Sequence, residues 1–251
     1  MNRFSYLSLV LIITLFLTNS IFSQPFDLRA YIEEKRPEIE KIYQAATDDS
    51  ASWEKLAYFC DTFGPRLTGS ENLRKAISWS LDKLKEEGFT NVHAEEVKVP
   101  HWVRGVEYCR LMEPREADIP MLGLGGSIGT PKEGITAPVL VVKDFAELEK
   151  RASEAEGKIV VYNVVFQHYG QAVQYRWKGA IEAAKVGAVA SLVRAVSPMS
   201  HRNAHTGSMG YNDTIPKIPH AAIPQEDAMM LERMQERRQK PVVKLYTEAE
   251  T

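Results

Sequence analysis

Apolar residues fall at Leu28, Tyr31, Ile32, Ile39, Ile42 and Tyr43, close to helical spacing, and predict one amphipathic helix over residues 27–46. Thr47, Asp48, Asp49 and Ser50 break that pattern and offer side chains that can cap a following helix. Trp53, Leu56, Ala57 and Cys60 then mark a second helix, which Gly64 and Pro65 end. A third begins near Ser70, with Glu71 in its first turn where a carboxylate complements the helix dipole. It carries Leu73, Ile77, Leu81 and Leu84 on one face and is closed by Gly88. Residues 90–99 and 106–112 are rich in β-branched side chains and predict a hairpin or an adjacent strand pair, with residues 102–105 as the connecting turn. Beyond Glu113 and Pro114 the texture changes to short β-α-β alternations. Strands are expected at 139–142, 159–164 and 188–193, and helices at 145–154 and 175–186. Loop residues dominate 197–219, followed by a strand at 221–223, a helix at 225–238 and a strand at 242–246. The class is α/β, without internal repeats or low-complexity segments.

The amino terminus departs from this pattern. Arg3 supplies a positive charge and residues 6–17 form an almost unbroken apolar run, far short of the roughly 20 residues a bilayer-spanning helix requires. It reads as a secretory signal peptide over residues 1–23 rather than a stable membrane anchor. Ser20 and Ser23 offer cleavage points, and cleavage between Ser23 and Gln24 is the expectation.

With 44% hydrophobic residues, this 251-residue chain can bury a core sufficient for one large domain or two small ones. Lys and Arg number 31 against 33 Asp and Glu, a net charge of −2, which is too balanced to draw in a nucleic-acid backbone. Cys60 and Cys109 lack the spacing of a thiolate zinc site or a redox pair, which leaves a disulfide or two free thiols.

Chemical motifs are sparse. The stretch Gly123, Gly125, Gly126 and Gly129 is not followed by Gly-Lys-Ser/Thr, and Pro131 with Gly134 argues against a helix starting there. A loop with positive φ or close backbone approach accounts for it. There is no H-E-x-x-H or H-x-D. His201 and His205 stand four apart in a Pro/Ser/Gly/Asn-rich loop with no carboxylate partner nearby, so they are weak active-site-loop candidates better suited to solvated or supporting roles. His93 and Glu95 fall on one side of an expected strand and Glu96 on the other, as exposed residues. The mixed charges of residues 232–238 read as a solvated helix surface. Asn212, Asp213 and Thr214 form a glycosylation acceptor sequence in an exposed loop.

Phe63-Gly-Pro-Arg-Leu-Thr-Gly-Ser-Glu-Asn-Leu73 resembles the opening of the catalytic domain in co-catalytic zinc peptidases. The stretches at 100–105, 122–131, 134–137, 151–155, 157–163 and 182–188 narrow the resemblance to the carboxypeptidase Q family, as do 205–207 and 216–219. It runs from about Trp53 to about Leu245 without a large gap.

That resemblance implies an incomplete zinc-peptidase α/β domain interrupted by a protease-associated α/β insert. It assigns 24–46 to a pro-segment helix, 47–112 to the N-terminal part of the peptidase domain, 113–247 to the insert and 248–251 to the start of the return. It implies an exported dipeptidase or carboxypeptidase acting on small peptides with free termini, a homodimer, and an extracellular, lysosomal or periplasmic location according to the organism. Such enzymes hold two zinc ions that polarise the scissile carbonyl and acidify a bridging water, while a glutamate acts as general base. The family's ligand motifs are expected beyond Thr251, so no catalytic or metal-binding residue is assigned within these 251 residues. The chain alone is expected to bind no zinc, to be inactive and to be poorly soluble. Relatives that have lost their zinc ligands act as receptors, which leaves a non-catalytic, peptide-binding protein as the competing expectation.

Overall fold

The computed structural model describes residues 26–199 and 201–251. The expected signal peptide, with Ser20, Ser23 and Gln24, lies outside the described residues. The chain divides into two compact units between Gly64 and Pro65.

The first unit holds helices α1 (Leu28–Asp48) and α2 (Ala51–Phe63). The Asp27 carboxylate caps α1 by accepting from the backbone N–H groups of Arg29 and Ala30. Gly64, at φ 59°, ends α2 as the Gly-Pro signal predicts. No residue of either helix is buried, and the apolar stripe of α1 is 43–71% exposed.

The second unit opens with α3 (Glu71–Glu86), capped by the Ser70 hydroxyl, which accepts from the Leu73 N–H, and followed by Gly88 at φ 85°. Then come β1 (Glu107–Glu113), β2 (Ala117–Ile119), β3 (Leu122–Gly123), β4 (Ile135–Val142), α4 (Phe145–Lys150), α5 (Ala152–Ala155) and β5 (Ile159–Tyr162). The chain continues through α6 (Tyr169–Lys185), β6 (Ala190–Arg194), β7 (His220–Ile223), α7 (Gln225–Glu236) and β8 (Val242–Thr247). The strands form one eight-stranded mixed sheet in the order β2-β1-β8-β4-β5-β6-β7-β3. The β4-β5-β6-β7 centre is parallel, while β8, β1, β2 and β3 join antiparallel.

Strands β5 and β7 are buried at every residue, as apolar runs at the centre of a parallel sheet should be. Val139, Val141, Ile159, Val161, Leu192 and Ile223 meet Ala228 and Leu231 of α7 on one face. Leu140, Val142, Val160 and Tyr162 meet Leu148 of α4 and Ala180 and Ala183 of α6 on the other. Each such Val, Leu or Ile removed from water contributes about 1.5–3 kcal/mol. Strands β1 and β8 alternate instead, with Cys109, Leu111, Val243 and Leu245 turned to the α7 side.

Several expectations need correction. Residues 90–99 form no strand, because the ladder positions of β1 are taken by β2 and β8, and every residue in that stretch except Val92 is exposed. Without a neighbour to pack against, β-branched composition does not make a strand. The hairpin turn expected at 102–105 is accordingly no turn. Val103 instead bridges to Glu250. The helix expected over 145–154 breaks at Arg151, whose guanidinium bonds Glu147, Glu154 and the Val141 carbonyl. Strands β2 and β3, of three and two residues, carry too little pattern to be read in advance.

Candidate functional site

Three loops meet beside β3. Arg104 Nη1 donates to Glu107 Oε1 at 3.0 Å and to the Gly123 carbonyl at 2.8 Å. The Gly123 N–H donates to Glu107 Oε2 at 3.0 Å, and the Thr206 hydroxyl donates to the same Gly123 carbonyl at 2.9 Å. One partly buried carboxylate thus fixes both a cation and a strand end, a charge-assisted arrangement stronger than its neutral counterpart. The Trp102 indole N–H donates to the Ser127 carbonyl at 2.8 Å, and the Arg104 guanidinium lies 5.0 Å from the Trp102 ring centroid. Gly125 pairs with the third loop, its N–H donating to the Gly207 carbonyl at 2.8 Å and its own carbonyl accepting from the Met209 N–H at 3.0 Å. The space between is an open groove of about 520 Å³, lined by Leu67, Pro100, Trp102, Arg104, Gly126 and Gly207 among others. Its wall is mostly apolar, with a fixed cation and peptide groups as polar features.

The loop carrying Thr206 and Gly207 is held from below by a buried arginine. Arg176 on α6 is 3% exposed, and its Nη2 donates to His205 Nδ1 at 2.7 Å and to the His205 carbonyl at 2.9 Å. Since the guanidinium only donates, His205 Nδ1 is the acceptor and the neutral ring carries its proton on Nε2. Burial pulls the Arg176 guanidinium below its usual range, opposed by the Tyr169 hydroxyl. A Cβ at Gly207 would lie 2.7 Å from Arg176 Nη1, so any side chain there would have to displace the guanidinium.

His220, at the start of β7, lies deeper. It is 1% exposed, with Nδ1 2.8 Å from the Ser191 hydroxyl and Nε2 3.0 Å from the Tyr175 carbonyl. Burial drives its pKa down to about 4. Its backbone N–H donates to the Ser127 hydroxyl at 2.9 Å, which ties β7 to the glycine-rich loop.

His201 is exposed at φ 47° and His205 is exposed with its Nδ1 engaged by a cation. Among the described residues, no three His, Cys, Asp or Glu side chains come together as a metal site. The donors present do not fit a zinc ion: His205 would have to displace a guanidinium, and both ring nitrogens of His220 are occupied. Cys60 and Cys109 are free thiols, the first exposed and the second buried with its pKa pushed up to about 12 by desolvation. His93 and Glu95 are exposed and 3.7 Å apart. Asn212 Oδ1 accepts from the Thr214 N–H at 3.0 Å and hydroxyl at 2.8 Å in an exposed turn. No helix follows the glycine-rich stretch, and Gly126 adopts φ 93°.

Trp102, Arg104 and Glu107 were legible only as members of a resembling stretch, Pro100 to Gly105, and of the strand after it. Arg176 and His220 have no local signal, since their roles arise from residues 29 positions away in each case.

Comparison with known proteins decides the relationship. The chain is 56% identical over 194 residues to carboxypeptidase Q of Xenopus laevis and 54% identical over 200 residues to that of Homo sapiens. These alignments cover 77% and 80% of the chain. The chain is a carboxypeptidase Q homologue. It spans 41% and 42% of the length of those carboxypeptidase Q sequences. The fold agrees with a solved peptidase M28 precursor from Shewanella amazonensis SB2B, at a TM-score of 0.81 and 32% identity over 87% of this chain and 51% of that one. A zinc aminopeptidase from Bacillus subtilis shares the fold at a TM-score of 0.53 and 20% identity, covering 79% of this chain and 43% of its own. No family model matches the sequence.

Proposed function

We propose that this chain is the N-terminal portion of an exported zinc metallopeptidase, a carboxypeptidase or dipeptidase acting on dipeptides with free termini, and that the 251 residues alone are inactive. One observation carries the reading. Residues from the stretches at 100–105, 122–131 and 205–207, by which the chain resembles the carboxypeptidase Q family, converge on a single groove. Homology over 80% of the chain to the human protein supports it.

In this reading residues 24–46 are a pro-segment, 113–247 a protease-associated insert, and the two zinc ions are held by residues outside this chain. The groove would seat an apolar substrate side chain against Leu67, Pro100 and Trp102, while Arg104, braced by Glu107, supplies a fixed positive charge for a peptide carboxylate. Export with cleavage after Ser23, glycosylation at Asn212 and a homodimeric state complete the proposal. No helix among the described residues is long and apolar enough to cross a membrane.

The test compares the purified 251-residue chain with the product of the longer reading frame on an unblocked dipeptide with added zinc. Hydrolysis by the longer protein only, and sub-stoichiometric zinc in the shorter, is the expected result. Zinc-dependent hydrolysis by the short chain would overturn its proposed inactivity, and an inactive, zinc-free long protein would favour the receptor-like reading.

A further inference from the structure

A second concavity, of about 500 Å³, lies at the carboxyl ends of the parallel strands. Lys143 and Asp144 follow β4, Asn163 follows β5 and Arg194 ends β6. Helix α6 borders it with Gln171 and Tyr175, and α7 borders it with Met229 and Glu232. Because these helices pack on opposite faces of the sheet, the crevice opens between them, the position where open α/β sheets take up ligands.

Its polar groups are only partly satisfied. Asn163, 3% exposed, donates from Nδ2 to Glu232 Oε2 at 2.8 Å and accepts from Arg194 Nη1 at 3.1 Å. Arg194 Nη2 donates to Gln225 Oε1 at 2.9 Å, so this guanidinium rests on amide oxygens rather than on a carboxylate. Arg194 Nε is buried without a partner, and so is Gln171 Oε1. An orphaned donor on a cation and an orphaned acceptor therefore belong to side chains that line one crevice, each left at a cost in stability. The formal charges also cancel, Lys143 and Arg194 against Asp144 and Glu232. Asp144 is already engaged, its Oδ1 accepting from the Glu147 N–H at 2.7 Å. Lys143 Nζ lies 3.9 Å from Glu232 Oε1, so the set is already balanced, and a zwitterion adds no net charge to it whereas a lone anion or a lone cation would.

We infer that the crevice binds a small zwitterion, a free amino acid or a dipeptide, with its carboxylate on Arg194 and its ammonium group on Glu232 and the Gln171 carbonyl. This site is separate from the groove beside Trp102 and does not rest on the peptidase reading. Desolvation lowers the Arg194 guanidinium from its usual range, opposed by the charges of Glu232 and Glu226.

Titration of the 251-residue chain, followed by calorimetry and by side-chain amide resonances, tests it. Alanine and alanyl-alanine are the probes, with N-acetylalanine, alanine amide and inorganic phosphate beside them. Saturable binding of at least one zwitterion is expected, with the blocked analogues and phosphate weaker by about tenfold or more. Comparing alanine with alanyl-alanine identifies which source fits. The Asn163 and Gln171 amide signals should shift, and Arg194→Gln and Glu232→Gln should each weaken binding by about tenfold or more. Glu232→Gln decides alone if Arg194→Gln does not fold. The proposal is overturned if no zwitterion binds, if blocked analogues bind equally well, if folded variants retain full affinity, or if the Trp102 indole signal shifts while Asn163 and Gln171 do not.

Discussion

His220 shows how burial alone can set a chemical property. Its ring is enclosed by Ser191, the Tyr175 carbonyl and Gly179, where a Cβ would come within 2.8 Å of Nε2. A glycine inside a helix costs about 1 kcal/mol relative to alanine. Gly179 is nevertheless suited to α6, because overpacking at such a contact costs about 1–3 kcal/mol, the larger effect. With the folded pKa lowered from 6.5 to about 4, the unfolded chain binds the extra proton first as pH falls. Stability from this group is therefore complete above pH 6.5 and is lost progressively down to about 4. The loss amounts to roughly 3 kcal/mol. Urea unfolding across that range should show this slope, and His220→Gln should remove its share. An identical slope in the variant would refute the assignment.

Among the elements, α6 does more than cover the sheet. Its buried Ala172, Gly179, Ala180 and Ala183 allow close approach to β5 and β6, while Arg176 reaches the loop that lines the groove. A buried guanidinium without a carboxylate contributes little net stability, so Arg176→Met should alter global stability by no more than about 1 kcal/mol. Loop order should respond differently. Amide exchange at Gly125 and Met209, whose hydrogen bonds join the loops, should accelerate by about tenfold or more. Unchanged protection would show that the loop holds without Arg176. The glycine-rich stretch and the His205-Thr-Gly207 stretch were both visible in the sequence as loops. Their mutual pairing was not, because the Gly125 to Gly207 bond joins residues with no shared local pattern.

For the molecule as a whole, the unburied helices of the first unit have the clearest consequence. Tyr31, Ile39, Ile42 and Tyr43 of α1 and Trp53 and Leu56 of α2 are exposed, an apolar surface larger than scattered single residues would give. The 251-residue chain should bind a hydrophobic dye and self-associate as concentration rises. Ile39→Lys combined with Ile42→Lys should reduce both without lowering the melting temperature, since neither side chain is buried. Size-exclusion chromatography showing a monomer at all concentrations would refute this.

Among the described residues, the sequence by itself determined the helices apart from the break at Arg151, the principal strands and their punctuation, because periodicity, caps and glycine stops act over a few residues. Asp27, Ser70, Gly64 and Gly88 perform the terminal roles their chemistry suggests. It also carried the resemblance to the carboxypeptidase Q family. Only the tertiary structure decided that β1 pairs with β8 rather than with residues 90–99, since strand pairing depends on which edges are free and not on composition. It alone brought Arg104 to Gly123, Arg176 to His205 and Asn163 to Arg194, contacts between residues 19 to 31 positions apart. Desolvation and unsatisfied hydrogen bonds are properties of those three-dimensional neighbourhoods, and no stretch of the chain contains them.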